Sequence, residues 1–279
     1  MQHARQRFDQ GIEGPHVATE KAAHDGRIGA GIQLVNALRE APAFVMVHVM
    51  QAWLLACSRD PQRVRSAGRA LERAARLPAN ERERLHLAAL AAALGDDYDR
   101  VKARLGQLLR LHPRDALALQ VAHSFDYVTG DATGMNRRVA AVLPAWSSDL
   151  PGYDAVLAMH AFGLEECGEY EHAEDVAREA LDLNPLGARA HHVMAHVFEM
   201  TERADAGVHW MSEHIASWGT DTIVATHGWW HLRLFHLSQG QPYRDVLNLT
   251  LMHAIERIRR PASRMRHVPP PPTEARAYH

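Results

Sequence analysis

GEYEHAEDVAREALDLNP, from Gly168 to Pro185, reads as one helix between two stop signals. A turn glycine opens it, Tyr170 follows two residues on, the small residues Ala173 and Ala180 sit seven apart on one side, and Pro185 closes it. Glycine releases the backbone from the preceding helix and proline cannot extend the new one, so the segment has defined ends as well as an apolar stripe. The layout recurs, with one extra residue, in GDDYDRVKARLGQLLRLHP from Gly95 to Pro113, and the ends of degenerate copies stand in ALREAP (closing at Pro42) and ERAARLP (closing at Pro78). The closing prolines Pro42, Pro78, Pro113 and Pro185 are 36, 35 and 72 residues apart, and the last gap is twice 36.

A period near 36 with this second-helix pattern is the mark of tetratricopeptide-like repeats, in which a helix pair buries its stripe only by stacking on the next pair. Alanine, leucine and arginine dominate, and β-branched runs of period two are scarce. The expected fold is all-α: a right-handed α-solenoid of tetratricopeptide-like helix pairs, about five to six of them across residues 28–258. Residues 1–27 are polar and without a clear period and are expected to be partly ordered. Residues 259–279, basic and proline-rich, are expected to be disordered.

The bulk properties exclude more than they assign. With 47% hydrophobic and 23% charged residues the chain is globular, and a net charge of −2 with lysine only at Lys21 and Lys102 gives no field for nucleic acid. Cys57 and Cys167 have no CxxC spacing, which argues against a disulfide framework and a cysteine zinc site and fits a reducing cytoplasm. No apolar stretch is long enough to cross a bilayer, and no secretory leader is legible. A soluble, cytoplasmic protein is expected.

Histidine is the unusual residue, with 20 copies. His48, His86, His123, His160, His196 and His231 recur in successive first helices at spacings of 38, 37, 37, 36 and 35. Facing depends on register, counted back from the turn glycine or from Glu202, which replaces it after the His196 helix. That count puts His192, His196 and Glu199 on one stripe (i, i+4, i+7) of the concave side, with His227 and His231 of HGWWH likewise. Glu165 and Glu166 join them, whereas His160 falls nearer the seam between paired helices and His123 is ambiguous. Trp230 and Arg189 also count to the concave side. The groove-binding candidates are therefore Glu165, Glu166, Arg189, His192, His196, Glu199, His227, Trp230 and His231.

Three chemistries fit such a cluster. Two i, i+4 histidine pairs on neighbouring helices with a carboxylate supply the ligands of a first-row divalent ion, zinc foremost, with His192, His196, Glu199, His227 and His231 as candidate metal ligands. A histidine oriented by Glu199 or Glu165 suits acid/base catalysis, hydrolytic or proton-transferring, although no nucleophile elbow or phosphate loop names a reaction and GDATG at Gly130 is a turn. The third is structural: imidazoles and carboxylates satisfying one another across stacked helices. No cofactor is assured. The leading expectation is a solenoid that binds a peptide, protein or small ligand in its concave groove, with neither nucleic acid nor membrane as partner; the alternative is an enzyme using the cluster.

The strings FVMVHVMQAWLL, AFGLEECG, ARAHHVMAHVFEM and HGWWHLRLFHL together resemble the tetratricopeptide repeat protein 38 family over about Phe44 to Leu237. The resemblance implies an α-solenoid whose characteristic residues match His160, Glu165, Glu166, His192, His196, Glu199, His227 and His231, and it implies no substrate. Members continue with further helical repeats where this chain turns basic and proline-rich. An open apolar face is expected there, and with it a homodimer through the uncapped C-terminal repeat or marginal stability.

Overall fold

The computed structural model describes residues 36–58, 60–219 and 224–240, together with residue 34. The N-terminal segment 1–27, the tail 259–279 and the end of the last expected repeat, with the open face proposed for a dimer, lie outside the described residues. Within them the chain is an all-α solenoid. Helices α1 (Val45–Ala56) and α2 (Pro61–Ala75), α3 (Glu81–Leu94) and α4 (Tyr98–Leu111), α5 (Ala116–Val128) and α6 (Ala132–Val142), α7 (Tyr153–Glu166) and α8 (Tyr170–Leu183), and α9 (Ala188–Met200) and α10 (Ala204–Glu213) form antiparallel pairs. The one-turn helix α11 (Ile215–Trp218) then leads to α12 (Ala225–Ser238), which packs on both α9 and α10. Among the described residues no strand is present.

The turn inside most pairs is one motif. Asp96, Gly130, Gly168 and Glu202 take left-handed φ values of 57°, 69°, 80° and 57° at the ends of α3, α5, α7 and α9. The next amide donates back across the turn in each case: Asp97 to Ala92, Asp131 to Asp126, Glu169 to Leu164 and Arg203 to Phe198. These are repeated six-to-one C-caps, which use the orphan carbonyls of the first helix. Glycine adopts this conformation without strain but glutamate does not, so Glu202→Gly is expected to stabilise the protein by about 1 kcal/mol. Urea unfolding measures it, and unchanged or lowered stability would refute the strained turn.

The doubled proline gap also has a structural cause. Helix α6 ends in a 3-10 turn, Leu143–Ala145, that contains Pro144, and an irregular stretch precedes α7. Trp146 Nε1 donates to the Pro113 carbonyl at 3.0 Å and Arg114 Nε to the Ala145 carbonyl at 2.6 Å, tying the end of α4 to the end of α6.

Two apolar clusters share the core and meet at α7. Val156 and Met159 pack with α1 to α6, while Leu157, Ala158, Ala161 and Leu164 pack with α8 to α12. Capping differs along the chain as well. Asp60, Asn80, Asp97, Asp115 and Asp131 cap the N-termini of α2 to α6 through their side chains, whereas α7 to α12 have no side-chain N-cap. The helices that carry the histidines therefore depend more on tertiary contacts than on their own ends.

Candidate metal centre in the groove of α7, α9 and α12

The histidines separate into two groups. His48 Nε2 donates to the Pro42 carbonyl at 2.8 Å and His191 Nε2 to the Pro185 carbonyl at 3.0 Å, so each latches its helix onto a closing proline six residues earlier. Trp53 Nε1 donates to His86 Nδ1 at 3.4 Å, which leaves the proton on Nε2 to donate to the fully buried Asp115 at 3.0 Å. His123 Nε2 donates to the Met159 carbonyl at 3.0 Å and joins α5 to α7. His160 lies edge-on to His172 of α8, at the seam. These histidines satisfy backbone and core groups.

His192, His196, His227 and His231 do something else. One ring nitrogen from each lies within 4.8 Å of those of the others. The rings of His192 and His196 are 4.4 Å apart, those of His196 and His231 4.5 Å, and those of His192 and His227 4.8 Å. The i, i+4 spacing on α9 and on α12 stacks each pair on one face, and the packing of α12 on α9 brings the two faces together.

Carboxylates fix the orientation. Glu199 Oε2 lies 2.6 Å from His231 Nδ1, and since a carboxylate only accepts, Nδ1 carries the proton and Nε2 keeps its lone pair. That Nε2 is buried without a hydrogen-bond partner. Glu165 Oε2 lies 3.3 Å from His196 Nδ1, and His196 Nε2 lies 3.1 Å from His192 Nε2. Two ligand nitrogens on one tetrahedral zinc, each about 2.0–2.1 Å from the ion, stand roughly 3.3 Å apart. A carboxylate on Nδ1 with Nε2 left for the ion is the usual support of a metal-binding imidazole.

The electrostatics favour neutral ligands. Burial, followed by the neighbouring His196, His231 and His227, holds His192 well below the ordinary histidine value. Burial and then His196 and His227 bring His231 to about 3, and burial and then His196 lower His227. Protonating any of these rings places a cation beside other imidazoles away from water, so at neutral pH their lone pairs are available. Burial raises Glu199 and Glu166, and the like charge of Glu165 raises both further.

No family model matches the chain. Among solved structures it is similar to MamA 41-end from Desulfovibrio magneticus RS-1, with 16% identity and a TM-score of 0.43, over 61% of this chain and 93% of that one. The solenoid assignment rests on the helix pairs and their repeated turns.

Of the remaining sequence candidates, Glu166 is exposed, and it joins Glu165 and His196 in a second close group. Arg189 occupies the first turn of α9, and its charge acts on both His123 and His192. Trp230 is 53% exposed and, among the described residues, stacks on none of the four histidines. Two residues escaped the sequence reading. Phe162 packs at 5.9 Å and 5.7 Å on the rings of His192 and His196, and Tyr127 packs at 5.7 Å on Phe162. The turn register would have found them: Phe162 stands six residues before Gly168 as His196 does before Glu202, and Tyr127 three before Gly130 as Glu199 does before Glu202.

Gly228 and Trp229 of HGWWH have packing roles. Trp229 lies 5.0 Å from the ring of Trp218 and donates to the Gly219 carbonyl at 3.0 Å. A Cβ on Gly228 would sit 2.6 Å from the Trp218 ring, closer than any contact allows. Gly228→Ala is therefore expected to cost about 1–3 kcal/mol by overpacking, beyond the helix propensity alanine supplies. Thermal unfolding of that variant checks it, and an unchanged or raised midpoint would show that α12 does not approach α11 this closely.

Candidate ligand cysteines are absent from this site. Cys57 and Cys167 are exposed and form no disulfide, and each stands at the C-terminal end of a first helix.

Proposed function

We propose that this chain is a groove-binding solenoid that holds one first-row divalent ion, zinc foremost, on His192, His196, His227 and His231, with Glu199 and Glu165 behind two of the rings. The observation that carries the reading is the convergence of one ring nitrogen from each of four imidazoles within 4.8 Å, with His231 Nδ1 held by Glu199 and its buried Nε2 left without a hydrogen-bond partner. His48 Nδ1 and His191 Nδ1 are also buried without a partner, so it is the convergence of four ring nitrogens, and not an unmatched nitrogen by itself, that distinguishes this cluster from the structural histidines. Three of the ligands are partly or fully buried and His227 is exposed, so a peptide or small ligand arriving from the groove would bind the ion by taking the place of His227 or as a fifth ligand.

A hydrolytic role is the second reading, favoured by Glu166. This exposed carboxylate stands beside His196 and holds its proton more tightly than an ordinary glutamate, as a base for a metal-bound water would. Membership of the tetratricopeptide repeat protein 38 family and a cytoplasmic location belong to the same proposal, supported by the quoted sequence stretches and by a cysteine usage of two residues without disulfide or CxxC spacing. No described helix is long and apolar enough to cross a membrane.

The test is metal analysis of the full chain purified without a histidine tag, by mass spectrometry. About one equivalent of a transition metal per chain is expected, or uptake of one equivalent of added zinc. Failure to take up zinc at stoichiometric concentrations would reject the proposal.

A further inference from the structure

The four imidazoles form one end of a longer line of rings. Tyr127 of α5 touches Phe162 of α7, and Phe162 touches His192 and His196 of α9, at centroid distances of 5.7–5.9 Å. Tyr127 is 54% exposed and Val128 beside it 46%, so an apolar wall runs from solvent directly to the nitrogen cluster. An aromatic surface left open beside a polar centre offers a ligand ring edge-to-face or offset stacking.

The charge at the inner end points to the other half of the ligand. A divalent ion on neutral imidazoles is strongly electrophilic, and the guanidinium of Arg189, one turn before His192 on α9, adds positive charge felt at His192 and at His123. A carboxylate complements both, and carboxylate oxygen is an ordinary zinc ligand. Exposed His227 marks the side from which it would approach.

We propose that the groove binds an aromatic carboxylate, its acid group on the metal ion and beside Arg189 and its ring against Phe162 and Tyr127. This rests on the metal reading above. The chemistry is shared by a free arylalkanoic acid and by a peptide whose last residue is phenylalanine or tyrosine. In both, a short aliphatic spacer separates ring from carboxylate, so the acid group can reach the imidazoles while the ring lies against Phe162, which packs directly on His192 and His196.

The test is calorimetric titration of the zinc-loaded full chain, with zinc content measured on the same samples. The probes are 3-phenylpropionate, its amide, acetate, and a short peptide ending in phenylalanine with a free or an amidated terminus. The expected result is saturable one-to-one binding of the aromatic acids, at least about tenfold weaker for the amides and for acetate, and lost on zinc removal. The tighter of the free acid and the peptide identifies the source. Phe162→Leu and the surface variant Tyr127→Ser should each weaken binding about fivefold or more with zinc content unchanged. Full zinc occupancy with no acid binding, amides binding as well as acids, or no effect of either variant would overturn the proposal while leaving the metal reading intact. Absence of zinc uptake would overturn both.

Discussion

Zinc at a thousandfold excess over its dissociation constant is expected to raise the unfolding free energy by about 4 kcal/mol, because the ligand set exists only when α9 and α12 are packed together. For a chain of this size that is a shift of roughly 10 °C in the unfolding midpoint. His196→Ala or His231→Ala should lower zinc affinity by about 100-fold or more and cut the shift at the same zinc concentration to about a third or less, since each removes an imidazole from the middle of the cluster. Glu199→Gln should cost about 10- to 100-fold, because it weakens the hydrogen bond that holds His231 in its metal-binding tautomer without removing the ligand. His160→Gln, at the seam against His172, should change nothing. Thermal unfolding with and without zinc, paired with a competitive zinc titration, reads all four variants. A shift that survives undiminished in both alanine variants would place the ion elsewhere. The histidine-bearing helices α9 and α12 lack side-chain N-caps, so their amides should also gain most of the protection from hydrogen exchange that zinc confers.

The second large effect is loss of stability in acid. His123 is buried, and burial holds it at about 4, against an ordinary value of 6.5, outweighing the support of its bond to the Met159 carbonyl. In the unfolded chain the same ring takes up a proton at 6.5, so between the two values the unfolded state binds more protons and stability must fall with falling pH. The loss from this group is absent above pH 7, on the order of 2 kcal/mol at pH 5, and approaches about 3 kcal/mol below pH 4. His123→Gln keeps a nitrogen donor near the Met159 carbonyl and cannot titrate, so it should make the dependence between pH 6.5 and 4 shallower by the share of one group, the rest coming from His191, His192, His227 and His231, which burial also lowers. Urea unfolding of both proteins across that range, in the presence of a metal chelator, measures the difference. Identical slopes would mean that His123 is not the neutral, buried group described here.

Much of the fold could be read before any coordinates, because stop signals survive where packing residues drift. The prolines after α2, α4 and α8 and the glycines after α5 and α7 fix a period regardless of the core residues between them. The repeat closing at Pro144 was hidden because its proline sits inside a 3-10 turn followed by an insertion, not directly after a regular helix. Glu202 was placed by register as the stand-in for the turn glycine, whereas Asp96 was hidden behind the adjacent Gly95, since a left-handed turn without glycine leaves no compositional trace.

The site was legible to the extent that register was. Counting from the turn separated His192 from its neighbour His191, which the structure buries against the Pro185 carbonyl. It also gathered Glu165, Glu199 and the HGWWH pair around His196. What it could not supply is the tautomer. Which nitrogen of His231 keeps a lone pair depends on the approach of Glu199 from another helix, and tertiary distances of that kind are not encoded in spacing. Phe162 and Tyr127 were missed because attention to histidine and glutamate passed over aromatic residues at the same register positions.

The central claim is that four imidazoles from α9 and α12 surround one ion. X-ray absorption at the zinc edge on the zinc-loaded, untagged chain addresses it most directly. The account predicts a nitrogen-dominated first shell near 2.0–2.1 Å with the outer-shell scattering of three or four imidazoles, reduced by about one in His231→Ala. A spectrum requiring one imidazole or none, or a sulfur shell from Cys57 or Cys167, would contradict it.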